Sequence, residues 1–371
     1  MIDFCHSGIV CLTHRRLVKL SGPDTAKFLQ GLITNNVEST SSEPFYSAFL
    51  DARGRVLWDV FVWPMFSEEQ WGCLLEIDGE ERGALVKHLR RHKLRSKITI
   101  EVLGEEDADG LSVWAGWGSN VITAFEAEQL IASMPDPRAG DSLENFATRF
   151  LFRGSSPSTD SGITVLELQQ YTLRRYLFGV PEGPSEISRE NALPMEYNIE
   201  LAKGIDFRKG CYVGQELTIR TKHTGVVRKR VLPVQLYNSE DKAPSTKDDA
   251  TGLPHFDAKW QPTTDLRSEA LDIKQLDDLG SIKRGRAAGK LIARYGNVGL
   301  GLCRLEMMTP MRVSAEGGSF KPGVEFGVQT AEAEETRPVR VKAFLPDWLI
   351  RREKDVWAKT KPKRQAEEQL A

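Results

Sequence analysis

Apolar and polar positions follow two rhythms along this chain, and the switches between them mark out its elements. Residues 11–20 read as a strand, after which Ser21 sits as a helix N-cap with Asp24 three residues on in capping-box position. The helix that follows buries Phe28, Leu29, Leu32 and Ile33, spaced at three and four residues. Residues 45–50 and 55–63 predict a hairpin turned by Asp51-Ala52-Arg53-Gly54. A strand near 71–77, a helix from about 79 to 93 and a strand over 97–103, with Ile98, Ile100 and Val102 alternating, complete a first domain that is α+β.

Residues 164–180 predict an amphipathic helix leading to a Pro- and Gly-rich turn at 181–184, and a short helix around 195–203 delivers the chain to a glycine-flanked loop at 209–216. After Gly225 the period becomes that of strands, at 226–236, 289–295, 298–306, 310–314, 323–329 and 338–345. Short strands with Gly turns predict a small barrel or sandwich. Residues 238–285 are polar, rich in Asp and Lys and weakly periodic, and read as a mobile insertion with at most short helices. The last 20 or so residues, rich in Lys, Arg and Glu, read as a solvated helical tail.

Composition narrows the partners more than the fold. The 371 residues, 40% hydrophobic and 27% charged, can bury more than one core, so two or three domains are expected. Fifty basic residues against 52 acidic ones give a formal net charge of −2, which recommends neither nucleic acid nor an anionic membrane as main partner. No apolar run approaches the length of a membrane span, and no signal peptide or amphipathic presequence is read ahead of the first strand. The cysteines, at 5, 11, 73, 211 and 303, form no C-x-x-C pair, which suits a reducing compartment. An iron–sulfur cluster held by one chain generally needs four thiolates. Any cluster here is therefore expected to be transient or shared with a partner.

Lys209-Gly210-Cys211-Tyr212-Val213-Gly214-Gln215-Glu216 is the most informative stretch. It sets one thiol between two glycines, beside Lys209 and near Arg208, and adds a carboxamide and a carboxylate within five residues. Cations beside a thiol stabilise its thiolate, the route to a reactive or metal-binding cysteine; a tight loop around an inert buried thiol is the other reading. Asp59 is the second candidate, because it is the only ionisable side chain in Val56-Leu57-Trp58-Asp59-Val60-Phe61-Val62-Trp63. A strand apolar on both faces is buried, so its carboxylate either lines a ligand cavity or is satisfied by backbone N–H groups or by Arg53 or Arg55.

The octapeptide, continued by Leu217-Thr218-Ile219-Arg220-Thr221 and by His223-Thr224-Gly225-Val226-Val227-Arg228-Lys229-Arg230, resembles the signature of the YgfZ-type folate-binding family, and within it the mitochondrial iron–sulfur cluster assembly branch. Leu20-Ser21-Gly22-Pro23-Asp24 with Phe28-Leu29-Gln30-Gly31-Leu32-Ile33-Thr34-Asn35, Asp51-Ala52-Arg53-Gly54-Arg55, and Arg175-Tyr176-Leu177-Phe178-Gly179-Val180-Pro181-Glu182-Gly183 with Asn198 carry the same resemblance. It implies the fold of the glycine-cleavage aminomethyltransferase (T-protein). On that basis 1–224 forms a T-protein-like α+β region of two interleaved subdomains, 225–346 a C-terminal β-barrel, and 347–371 a charged helical tail. It further implies a mitochondrial matrix protein working with A-type iron–sulfur carriers to build 4Fe–4S clusters for clients such as aconitase. Cys211 is then the functional thiol and a candidate metal ligand shared with the carrier. Tetrahydrofolate is the implied ligand of a pocket formed by Asp59, Arg175, Asn198, Tyr212, Gln215 and Glu216, and Lys209, Gly210, Gly214, Arg220 and His223 complete the motif.

Two departures bear on chemistry. Trp58 stands where the transferases carry the first of two adjacent acids, and Leu177 stands where they carry the glutamate that grips the pterin. Both disfavour the alternative function, tetrahydrofolate-dependent aminomethyl or formyl transfer. The basic stretch Lys87–Lys97 is the solvated end of a helix or a dock for an acidic partner, and His223 a proton donor, a soft-metal ligand or a turn residue. No H-E-x-x-H, G-x-S-x-G or Walker loop supports a hydrolase or nucleotide-binding reading.

Overall fold

The computed structural model describes residues 7–67, 70–103, 110–118, 121–125, 128–140, 146–154, 162–244, 252–263, 266, 271–313, 318–328 and 337–357. Cys5 and the tail beyond Trp357 lie outside them. The expected strand at 11–20 is two strands, β1 (Gly8–Cys11) and β2 (Arg15–Ser21), that belong to different sheets. β2 joins β3 (Phe45–Leu50), β4 (Val56–Ser67), β5 (Gln70–Asp78) and β6 (Thr99–Val102) in an antiparallel sheet of order β3-β4-β5-β2-β6. α1 (Thr25–Gln30) and α2 (Arg82–Lys93) pack on one face, where Leu29, Ile33, Leu85 and Leu89 are buried. Ser21 ends β2 instead of capping α1, and the Asp24 carboxylate accepts from the Lys97 backbone N–H at 2.7 Å, so the capping box does not form.

β1 pairs with β7 (Leu111–Trp117), which continues through β9 (Thr148–Arg153) to β8 (Leu130–Pro135) in a second antiparallel sheet. α3 (Leu168–Phe178) contacts β1 of this sheet and the barrel strands β10, β12 and β13, and its buried Tyr171, Leu173 and Leu177 belong to the central core. The expected helix at 195–203 is a run of turns, and the second half of the octapeptide opens a helix that the sequence did not announce, α4 (Gln215–Thr224). The C-terminal strands close a barrel of order β10-β13-β12-β11-β14-β15, spanning Lys229–Tyr237 (β10), Asp272–Gln275 (β11), Gly289–Tyr295 (β12), Val298–Arg304 (β13), Phe326–Val328 (β14) and Val339–Ala343 (β15). β11 comes from within 238–285, so that stretch supplies a barrel strand with Ile273 fully buried. Residues 310–313 hold no strand, and the chain turns instead through α5 (Leu305–Met308). α6 (Asp347–Trp357) is docked by its apolar side: Trp348 Nε1 donates to the Phe178 carbonyl at 3.1 Å, and Leu349 and Trp357 are buried.

Candidate functional site

The octapeptide is anchored at both ends with its thiol on the outside. Lys209 turns inward and donates from Nζ to the carbonyls of Gln30, Ile33 and Asn35 at 2.8, 2.6 and 2.8 Å, just past α1, where helix-end carbonyls lack partners. Burial pushes its pKa down to about 8, which leaves it charged at neutral pH. The expectation that Lys209 serves the thiol is corrected, since its three N–H groups are committed to those carbonyls. Tyr212 is buried under the Lys209 ammonium, 5.0 Å from the ring centre, and its hydroxyl meets Thr218 Oγ1 at 2.9 Å. Gly214 caps α4 with φ +80° and lies against the β3–β4 turn. Gly210 has open space around it, and Cys211 is exposed. Cys73 and Cys303 are buried, and burial pushes both thiols up, Cys303 to about 12.

Gln215, Glu216, Arg220 and His223 all belong to α4, with Glu216, Arg220 and His223 exposed and His223 in the last turn rather than in a β-turn. Gln215 Oε1 accepts from the Tyr212 backbone N–H at 3.3 Å and steadies the loop. At the other end of the helix, Lys222 donates to the Val356 carbonyl and lies 4.5 Å from the Trp357 ring centre, so α6 holds α4 down.

Asp59 lies elsewhere. Strand alternation turns Trp58 to the α2 side, where Nε1 donates to Glu81 Oε2 at 2.7 Å, and turns Asp59 with Phe61 and Trp63 into the space between the two sheets. That space is filled by a network of charges. Glu182 Oε2 accepts from Arg138, Arg149 and the Tyr171 hydroxyl at 2.7, 2.8 and 2.7 Å, and Oε1 meets His14 Nε2 at 2.8 Å. Glu76 accepts from Arg15, Arg149 and Trp63, and Asp136 from Arg138. Arg149 also stacks 4.0 Å from the Phe61 ring centre.

Asp59 is the carboxylate left over. Arg15, Arg138 and Arg149 balance Glu76, Asp136 and Glu182, and Asp59 keeps one N–H contact, from Gly183 at 3.1 Å, with Arg15 3.8 Å away. Its Oδ2 has no hydrogen-bond partner among the described residues. Burial, opposed by Arg15 and reinforced by Glu182, raises its pKa. A raised folded-state pKa favours the protonated form, so stability tied to this group is present at low pH and lost as pH rises. Asp59→Asn is therefore expected to melt at or above the native temperature at pH 7, with the gap closing below about pH 4, the ordinary aspartate range. Thermal melts across that range check it, and a variant several degrees less stable at pH 7 overturns it.

The residues proposed for a folate pocket do not converge. Arg175 forms a buried bidentate pair with Glu186, at 2.5 and 2.9 Å. Asn198, at φ 61°, donates to the Val231 carbonyl at 2.8 Å and accepts from Arg230, tying the 195–203 turns to the barrel. Leu177 is buried in the central core. A pterin gripped by Asp59, Arg175 and Asn198 does not fit this arrangement, because the polar groups of Arg175 and Asn198 already serve the protein and Arg138 and Arg149 occupy the space between the sheets that Asp59 faces. The network escaped sequence reasoning, since its members are scattered from His14 to Glu182. The available signal was Arg and Glu inside otherwise apolar strands, Arg149 in Thr148–Arg153 and Glu76 in Gln70–Asp78.

Comparison with known proteins places these features in context. Residues 228–350 match the family model described as CAF17, C-terminal beta-barrel domain. The iron-sulfur cluster assembly factor IBA57 homolog, mitochondrial, of Phaeosphaeria nodorum is 44% identical over 357 residues, covering 95% of this chain and 83% of the relative. Proteins of the same description from Neurospora crassa and Coccidioides immitis are 42% and 41% identical, covering 95% and 92% of this chain and 82% and 83% of theirs. Among solved structures, glycine cleavage system aminomethyltransferase T from Bartonella henselae superposes with a TM-score of 0.60 at 12% identity, over 92% of this chain and 86% of that one. That likeness concerns the fold alone, and the fold is T-protein-like with a C-terminal β-barrel.

Proposed function

Because the chain belongs to the IBA57 family of mitochondrial iron–sulfur cluster assembly factors, we propose that it acts in cluster assembly as a docking protein that lends one thiolate to a cluster carried by a partner. The observation that carries this reading is Cys211, an exposed thiol on a loop held by Lys209 on one side and Gly214 on the other. A pinned loop presents the sulfur in one place, which lowers the ordering cost of binding. Among the described residues, Cys73 and Cys303 are buried in separate cores and Cys11 is half-buried on β1, so Cys211 is the one exposed thiol there and the partner is expected to supply the other ligands.

The cluster is cargo, and its expected carrier is an A-type protein delivering 2Fe–2S units in the mitochondrial matrix, with 4Fe–4S apo-enzymes such as aconitase as clients. Joining two oxidised 2Fe–2S units into one 4Fe–4S unit of charge 2+ consumes two electrons, which an external reductant supplies. This chain contributes the docking surface and the sulfur ligand. Aminomethyl transfer is not proposed, since Trp58 and Leu177 replace its acids and Asp59 is enclosed.

The test is anaerobic mixing of the full chain with a 2Fe–2S-loaded A-type carrier and dithiothreitol as reductant, followed by visible absorption and gel filtration. Cys211→Ser is expected to keep the native melting temperature while losing both 4Fe–4S formation and cluster-dependent association. The exposed site makes the change structurally neutral. If the serine variant forms 4Fe–4S product as well as the native chain, the thiolate role is wrong.

A further inference from the structure

A cleft of about 310 Å³ opens between α4, the 193–196 turn and the start of the barrel. Leu193, Pro194, Met195, Leu217, Val226 and Val227 give it an apolar lining. Its charged lining is predominantly basic: Arg228, Lys229, Arg286 and Arg304 face it against the one carboxylate of Glu196. Glu196 is already paired with Lys229 at 2.8 Å. Arg304 Nε donates to the Ala287 carbonyl at 2.9 Å, which fixes that guanidinium at the wall. Burial and the nearby Arg286 lower its pKa, as expected where two guanidiniums share one opening. The Arg228 and Arg286 side chains have no ion pair or hydrogen bond among the described residues.

Cations gathered in excess of their counter-ions over an apolar floor oppose one another until an anion arrives, and a guanidinium fork fits a carboxylate, sulfonate or phosphate in two-pronged fashion. The volume lies at the lower end of the range for small-molecule sites. We propose that this cleft binds a small organic anion with an apolar body, the anionic group held by Arg228, Arg286 and Arg304 and the body lying on Leu193, Met195 and Val226. Thr218 lines the cleft, and its hydroxyl meets Tyr212, the neighbour of Cys211. An occupant therefore sits next to the thiol loop without touching the thiol. The site is separate from cluster docking, and its test involves neither cluster nor carrier.

Fluorescence titration of the full chain with 1-anilinonaphthalene-8-sulfonate and with uncharged N-phenyl-1-naphthylamine tests it, since the probes share a ring system and differ in the anion. The sulfonate is expected to bind at least about tenfold more tightly than the neutral amine, the factor that one charge-assisted contact of about 1.4 kcal/mol supplies. The exposed double variant R228E/R286E should lose that preference while binding the amine unchanged, and V226W, which fills the floor, should lose both probes. K87E/R91E, on exposed positions of α2, should behave as native. Equal binding of the two probes, or sulfonate binding that survives R228E/R286E or V226W, overturns the assignment, as does its loss in K87E/R91E.

Discussion

Glu182→Ala is expected to destabilise the protein by about 3–5 kcal/mol, the cost of removing one partner from a buried, hydrogen-bonded ion pair. Four groups lose an acceptor at once: Arg138, Arg149, the Tyr171 hydroxyl and His14. They come from the β1–β2 turn, the segment after β8, β9 and α3, so the loss reaches both sheets. Burial alone would raise the Glu182 pKa, but Arg138, Arg149 and Arg15, with the hydrogen bond from His14, hold it well below the ordinary range. A depressed folded-state pKa gives stability that is complete above the unfolded value, near 4.3, and lost as pH falls through the folded one. Glu182→Gln, which keeps the shape and part of the hydrogen bonding, should cost less than alanine and weaken the acid dependence below about pH 4. Urea unfolding at pH 7 and pH 3 measures both effects. An alanine variant within 1 kcal/mol of native, on the order of an exposed pair's contribution, would remove the network as the weld between sheets.

Gly214→Ala is expected to cost about 2–5 kcal/mol, combining a left-handed backbone closed to alanine with overpacking against a fixed neighbour. A Cβ at 214 stands against the Asp51 carbonyl oxygen and 2.9 Å from Leu50 Cβ, and the opposing residue is itself a glycine, Gly54 at φ +78°. Asp51 cannot yield easily, because its carboxylate accepts from the N–H groups of Arg53 and Arg55, both at 2.9 Å. Gly210→Ala, two residues before Val213's neighbour Tyr212 and surrounded by open space, should stay within about 0.5 kcal/mol of native. Denaturation midpoints of the two variants decide the matter, and equal costs would mean that the loop does not rest on the turn. A destabilised Gly214 variant should also lose cluster-dependent association with the carrier even though Cys211 is retained.

The contrast between the two glycines illustrates what could be read early and what could not. The octapeptide marks out the loop, its candidate thiol and its family, because those are properties of consecutive residues, while the exposure of that thiol is a finding of the structure. Which glycine was indispensable depended on the 51–54 turn, about 160 positions away in sequence and adjacent in space. Lys209 differs for the same reason: proximity in sequence to Cys211 suggests an electrostatic role, while the chain folds its ammonium onto the end of α1. α4 went unseen because its start is a left-handed glycine cap, with Gln215, Thr218 and Thr221 interrupting any apolar stripe.

By itself the sequence determined the hairpin of β3 and β4, the apolar positions after β2, α3, the change to strand periodicity after Gly225 and the burial of Asp59. Each follows from side-chain alternation or turn chemistry over a few residues, where local sterics and hydrophobicity act directly. Only the tertiary structure decided that one expected strand serves two sheets, that a polar insertion supplies β11, and that α6 packs with Trp348 and Trp357 buried. It alone decided that Asp59 is the surplus member of a network whose charges are drawn from 14 to 182. Buried ions are stable only when their partners converge with hydrogen-bonding geometry, and that convergence is a property of distances between remote segments, which no local pattern encodes.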